Sequence, residues 1–261
     1  FWQEFPQALA ELDATGDVRV LVISSTGKHF TAGMDIGVFT NRDAAPQDPG
    51  RAGEAKRRDL MRLQRVFSLV EEVRMPVIAA VQGGAVGAGV DLAAACDMRY
   101  CTAEAFFCIQ EINIGLAADV GTLQRLPKLI PDGLVRELAY TGRRLYAEEA
   151  LQCGLVNRVF DTQDAMLAGV MEIAAQIAAK SPLAIHSSKH LMNYARDHSV
   201  RDALEYQAAW MGAVTQGPEM AAHFRAKAEG REAEYGDLAP IPPAERPLGA
   251  GGRVLADRRP A

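Results

Sequence analysis

No apolar run in this 261-residue sequence approaches the roughly 18 residues that span a bilayer, and no secretory signal peptide is visible. The chain starts at Phe1 instead of methionine, within a helical pattern, so something upstream is expected to be missing. Cysteine is sparse. Cys96, Cys101, Cys108 and Cys153 sit in apolar segments without metal-ligand spacing, which reads as buried free thiols in a reducing compartment. Positive charge is in the minority: 28 Lys and Arg against 33 Asp and Glu leave a net −5, which argues against a general nucleic-acid or anionic-membrane surface. An anionic ligand would need a local basic patch. The glycine-rich turn at 83–89 is followed by no Gly-Lys-Ser/Thr and lacks the dinucleotide-fingerprint spacing, so neither nucleotide motif is present. His186 and His190 lie four apart with no glutamate between them and no third ligand, a surface or capping pattern instead of a metal site, and Lys189 between them is uncommitted.

What is present is an ordinary globular composition, 49% hydrophobic and 23% charged, in a chain long enough for one large domain or a core with an appendage. Phe1, Phe5, Leu9 and Leu12 predict a helix over 1–14 despite Pro6. Val18 to Ser24 is β-branched and apolar, as expected of a central strand covered on both faces. Residues 41–53, polar and rich in Pro, Gly and Asp, read as a mobile loop. Leu60, Leu63, Phe67 and Val70 then mark one helix face, with Lys56, Arg57, Arg58, Arg62 and Arg65 on a solvated face that could also meet ligand phosphates. Pro76 to Val81, Met98 to Cys101 and Ala105 to Ile109 supply further strands, and strands alternating with helices indicate an α/β core. Helices follow at 132–140 and 147–152, the second stopped by Gly154, with a short strand at 155–160. Long helical patterns at 164–180 and 199–229 predict a helical subdomain over 165–236 beyond a core of 1–164, and the Pro-, Gly- and Arg-rich 237–261 reads as a disordered tail.

Chemistry concentrates between Gln82 and Leu126. Gly83, Gly84, Gly87 and Gly89 directly follow an apolar run, a strand-to-helix turn that lets a ligand approach backbone N–H groups closely. Three acids, Asp91, Glu111 and Asp119, then stand among apolar neighbours, where a carboxylate is unfavourable unless paired or used. Upstream, Gly33 permits an unusual backbone angle that would aim the Met34 amide at a ligand. The combination suggests an enzyme that polarises a carbonyl with backbone amides and moves protons with carboxylates.

With these residues in place, HFTAGMDI at 29–36, PVIAAVQGGAVGAGVDLAAACD at 76–97, LQRLP at 123–127 and ALQCGLVNRVF at 150–160 resemble the enoyl-CoA hydratase/isomerase (crotonase) family over nearly the whole chain. Within it the chain is most similar to the 3,5/2,4-dienoyl-CoA isomerases, through GVDL, the stretch 106–130 and YARDHSV at 194–200. The resemblance implies a ββα spiral core and a C-terminal helical trimerisation subdomain, with trimers commonly stacked as hexamers. It implies an acyl-CoA thioester as substrate, no metal or redox cofactor, and no nucleic-acid or membrane partner. By motif the oxyanion hole maps to the backbone N–H groups of Met34 and Ala88, with Ala32, Gly33, Asp35, Ile36, Gly87 and Gly89 around the substrate. Ala88 replaces the middle glycine of a common GGG run, which keeps the amide and adds a methyl.

Asp91 and Glu111 occupy the positions of the two hydratase glutamates, and Asp119 departs from the hydratase glycine. The implied mechanism has Glu111 remove a C2 proton from 3,5-dienoyl-CoA and a protonated Asp119 deliver one to C6, with Asp91 orienting or tuning the pair. An enoyl-CoA hydratase, with Asp119 incidental, and a non-catalytic scaffold binding RNA or protein are the alternatives. A cytoplasmic location is expected of a bacterial chain and a mitochondrial or peroxisomal one of a eukaryotic chain.

Overall fold

The computed structural model of the chain describes residues 1–35, 37 and 48–242. Helix α1 (Glu4–Thr15) tolerates Pro6 because a first-turn N–H has no helical acceptor to lose, and it buries Leu9. β1 (Leu21–Ile23) follows. α2 (Pro49–Glu72) begins where the sequence predicts loop: Asp48 accepts a hydrogen bond from the Arg51 N–H and Pro49 sits in the first turn, so 49–53 are helical and the turn-forming residues are a helix start. The rest of that predicted loop, 41–47, lies outside the described residues.

β2 (Val77–Val81) is wholly buried and leads into β3 (Gly84–Val86), α3 (Ala88–Ala95), β4 (Met98–Thr102) and β5 (Phe106–Cys108). Beyond a 3-10 turn at Gln110–Ile114 come α4 (Thr122–Arg125), α5 (Asp132–Thr141), β6 (Leu145–Tyr146), α6 (Ala147–Gln152) and β7 (Arg158–Phe160). Strands β1, β2, β4 and β7 form a parallel sheet in that order. A second sheet joins β3 and β5 in parallel with β6 antiparallel at its edge. From β2 to β5 successive strands alternate between the two sheets, whereas β1 and β2 share the first and β5 and β6 the second; the glycine turn contains a strand that the sequence reading placed as turn alone.

The pleat divides the core. Val77, Ala79, Val81 and Cys101 face the larger cluster with Phe67 and Val70 of α2, whereas Ile78, Ala80 and Tyr100 face Met166, Val170 and Ala174. Those last three belong to α7 (Gln163–Ala178), so the predicted boundary near 165 runs through core packing. Among the described residues β1 lies at the edge of its sheet, paired with β2 alone, where the sequence predicts a central strand; it is half-buried, with its apolar residues divided between the two faces.

The remaining helices are α8 (Pro182–Arg196), α9 (Val200–Ala213) and α10 (Gly217–Ala228). The single pattern at 199–229 is two helices, because Gly217 and Pro218 start a new one. Lys189, left uncommitted by the sequence, is buried and donates to the carbonyls of Val70 and Met75 and pairs with Asp97 at 2.8 Å. The tail predicted disordered from 237 instead starts with ordered chain: Leu238 N–H bonds Gly16, Ile241 N–H bonds Ala14, and Asp237 pairs with Arg19. Residues 243–261 lie outside the described chain.

Candidate active site

Two backbone turns are laid side by side by the start of the second sheet. Thr31 bridges Ala85, its N–H bonding the Gly84 carbonyl at 3.1 Å and its carbonyl receiving the Val86 N–H at 3.2 Å. The chain then bends at Gly33, where φ is 94° and a Cβ would crowd the Val86 carbonyl, so Met34 follows directly beside the end of β3. On the facing turn Gly87 caps α3 with φ 54° and ψ −119°, a conformation that favours glycine. A side chain at Gly89 would collide with the Thr31 methyl, which is why the two turns approach so closely.

Gly87 N–H is committed to the Cys108 carbonyl, but the N–H groups of Met34 and Ala88 have no acceptor among the described residues. Of the other predicted contact residues, Ala32 is exposed, Asp35 accepts a local hydrogen bond from Gly37 N–H at 2.8 Å, and Ile36 lies outside the described residues.

The acids arrive from three separate elements. Asp91, in the first turn of α3, is fully buried; its Oδ1 accepts from the Thr122 N–H at 2.5 Å, and its Oδ2 has no partner among the described residues. Glu111 stands in the first turn of the 3-10 segment, and its Oε1 lies 3.2 Å from where a Gly87 Cβ would be. Glycine at 87 therefore makes room for that carboxylate. Asp119, half-buried, occupies the loop before α4, and its carbonyl accepts from Gln64 Nε2 at 2.7 Å.

Burial pushes the Glu111 carboxyl up to about 7, with its own backbone N–H opposing and the charges of Asp91 and Asp119 adding to the rise. Burial also raises Asp91, against the Thr122 hydroxyl and N–H and the positive charge of Arg125, while Asp119 adds to the increase. The charge of Asp119 acts on both Asp91 and Glu111, so the three acids form one electrostatic cluster. A carboxyl ionising near neutrality against the glycine turn that precedes the unpaired Ala88 N–H can remove an acidic proton from a bound carbonyl compound.

Sequence reading missed Thr122, Gln64, Gly121 and Arg125 as supports of this cluster. Arg125 stood in the LQRLP motif, a usable signal; Gln64 was assigned to neither face of its helix and had none. His186 and His190 belong to an aromatic group with Tyr206 and Trp210, where His190 Nε2 meets Tyr206 Oη at 2.7 Å. Among the described residues no group of three or more His, Cys, Asp or Glu could hold a metal ion.

Comparison with known proteins supplies the setting for this arrangement. The chain is 44% identical over 235 residues to the human mitochondrial Delta(3,5)-Delta(2,4)-dienoyl-CoA isomerase, covering 89% of this chain and 72% of the human one. It is 42% identical over 217 residues to the peroxisomal enzyme of that name from Arabidopsis thaliana, covering 82% and 78%. The crystal structure of an enoyl-CoA hydratase from Bacillus anthracis superposes with a TM-score of 0.79 at 27% identity, over 90% of this chain and 87% of that one. The profile of the Enoyl-CoA hydratase/isomerase family matches residues 1–237, through both turns and all three acids, and on that match the chain belongs to the enoyl-CoA hydratase/isomerase family.

Proposed function

We propose that this chain is a dienoyl-CoA isomerase, converting 3,5-dienoyl-CoA to 2,4-dienoyl-CoA in unsaturated fatty-acid breakdown. The observation that carries the reading is the third carboxylate: Asp119 acts electrostatically on Glu111 and on Asp91, inside one cluster beside the glycine turn. Relatives above 40% identity that bear the isomerase name support it.

In the reaction, Glu111 takes a proton from C2 and the electron pair delocalises through the diene to a thioester dienolate. The Met34 and Ala88 N–H groups hold the enolate oxygen; losing one such donor typically lowers the rate by about 10²–10³. The N-terminus of α3 adds a favourable dipole. Asp119 then delivers a proton to C6, leaving double bonds at C2 and C4. One proton passing from Glu111 back to Asp119 restores the start, so no net proton is gained or lost. Asp91, held by Thr122, tunes the pair. Acyl-CoA is the substrate, the chemistry needs no added cofactor, and the working form is a homo-oligomer, a trimer or a dimer of trimers. The human relative is named as mitochondrial and the Arabidopsis thaliana relative as peroxisomal, which supports those compartments for a eukaryotic chain, a bacterial one being cytoplasmic. No helix among the described residues is long and apolar enough to cross a membrane.

An ultraviolet assay tests the reading. With 3,5-octadienoyl-CoA the conjugated dienoyl absorbance should rise, and with crotonyl-CoA the enoyl band should persist. Loss of the enoyl band without dienoyl formation would identify a hydratase.

A further inference from the structure

We infer that Arg125 is a positioning residue for the carboxylate cluster, held against the Gly121–Thr122 turn by a stripe of three side chains on α2. This rests on the isomerase reading but uses residues that the mechanism above leaves idle.

Gln64, Ser68 and Glu71 are spaced four and three apart, so they share one face of α2. All three reach the segment that carries Asp119 and Thr122. Gln64 binds the Asp119 carbonyl, while the Arg125 guanidinium donates to Ser68 Oγ at 3.1 Å and to Glu71 Oε2 at 2.6 and 3.0 Å. The Arg125 and Glu71 side chains are only 12% and 13% exposed, so this pair is far less screened than a surface ion pair.

The other edge of the guanidinium lies where a Gly121 side chain would be, at φ 135°, which places positive charge directly against the turn. The N–H groups of Gln124 and Arg125 close that turn onto the Gly121 carbonyl, and the next residue, Thr122, grips Asp91. Arg125 thereby connects α2 to the acid through one turn of backbone. Glu71 extends the connection: its Oε1 accepts from Arg196 and its carbonyl from Asn193 at 2.9 Å, both on α8.

Charge gives the arrangement its purpose. The charged groups facing Asp91 are Asp119 and Glu111 from the substrate side and Arg125 from α4, with Glu71 and Arg196 behind Arg125. Glu71 is shared by two arginines, and Arg196 also meets Asp197 at 3.6 Å, so Arg125 is only partly neutralised and is the cation that acts on Asp91 beside three mutually repelling acids.

The test is kinetic, on the full chain with 3,5-octadienoyl-CoA. Arg125→Gln should lower kcat about 10- to 100-fold, the scale of a misplaced reacting group, with KM within about twofold. Removing the cation should also move the acid limb of the kcat–pH profile upward by about one unit. Arg125→Lys, which keeps charge without the planar fork, should lose rate with the limb in place. Glu71→Gln should move the limb downward, the opposite sign, which damage to the fold alone would not produce. An unmoved limb in Arg125→Gln, or kcat within about twofold of the parent, overturns the inference. If Arg125→Gln does not fold, Glu71→Gln decides: a lowered limb supports the inference and an unmoved limb overturns it. A parent chain that cannot convert the substrate overturns the isomerase reading and the inference together, whereas an active parent with an indifferent Arg125 overturns the inference alone.

Discussion

A carboxyl that ionises near neutrality inside a fold makes both rate and stability depend on pH, and Glu111 is such a group. Its folded value of about 7 exceeds the ordinary 4.5, so across that window the folded chain holds a proton that the unfolded chain has released. Stability from this group is therefore fully present below about 4.5, falls as pH rises through the window, and is flat above it. Glu111→Gln should flatten that slope in thermal unfolding scans between pH 4.5 and 7 while lowering kcat by about 10²–10⁴. Asp119→Asn separates the two proton transfers. Conversion should fall by about 10²–10⁴ for loss of a positioned acid, yet deuterium uptake at C2 should persist because Glu111 and both amides remain. Loss of both signals would make Asp119 the C2 base, and near-normal conversion would leave hydratase chemistry through Asp91 and Glu111 as the better account.

Helix α3 begins at Ala88, whose N–H has no acceptor among the described residues, and carries Asp91 as its fourth residue, so in the proposed mechanism one short element supplies both a donor and an acid. Ala88→Pro removes that N–H at a position where proline fits helical geometry, and should abolish turnover in a folded chain. Ala88→Gly should retain it; equal activity in the two would take Ala88 out of the oxyanion hole. Helix α8 is fastened by Lys189, whose ammonium reaches two carbonyls and Asp97 at the start of β2 and β4. Lys189→Met should destabilise the chain by about 3–5 kcal/mol, since Asp97 would lose its cation. Urea denaturation measures this, and a change below about 1 kcal/mol would show that Asp97 finds solvation without the lysine.

At the scale of the whole molecule the helical end, among the described residues, carries a run of exposed apolar side chains. Met192, Val200, Leu204, Met220 and Phe224 on α8, α9 and α10 are all exposed, Val200 at 78%, a density of apolar side chains that a lone chain would present to water. A homo-oligomer built through these helices is the expected remedy. Sedimentation velocity at micromolar concentration should show a trimer or hexamer, and Phe224→Asp with Leu204→Asp should shift it toward monomer. A stable parent monomer would refute the assembly.

The amino-acid sequence by itself determined the α/β character, the two glycine turns and the three acids. Those signals are local: a buried strand, a turn glycine or an acid among apolar neighbours imprints the adjacent residues. Tertiary structure decided which acid touches what. Thr122 lies 31 residues from Asp91, Arg125 lies 54 from Glu71, and Lys189 lies 119 from Val70. Such partners leave no periodic trace, because each is chosen by chain crossings that bring distant segments within hydrogen-bond reach. The same holds for β1, whose apolar side chains serve two packed faces while its place at the sheet edge depends on which strands pair with it. Periodicity reports the faces a residue buries; only the assembled sheet determines its neighbours.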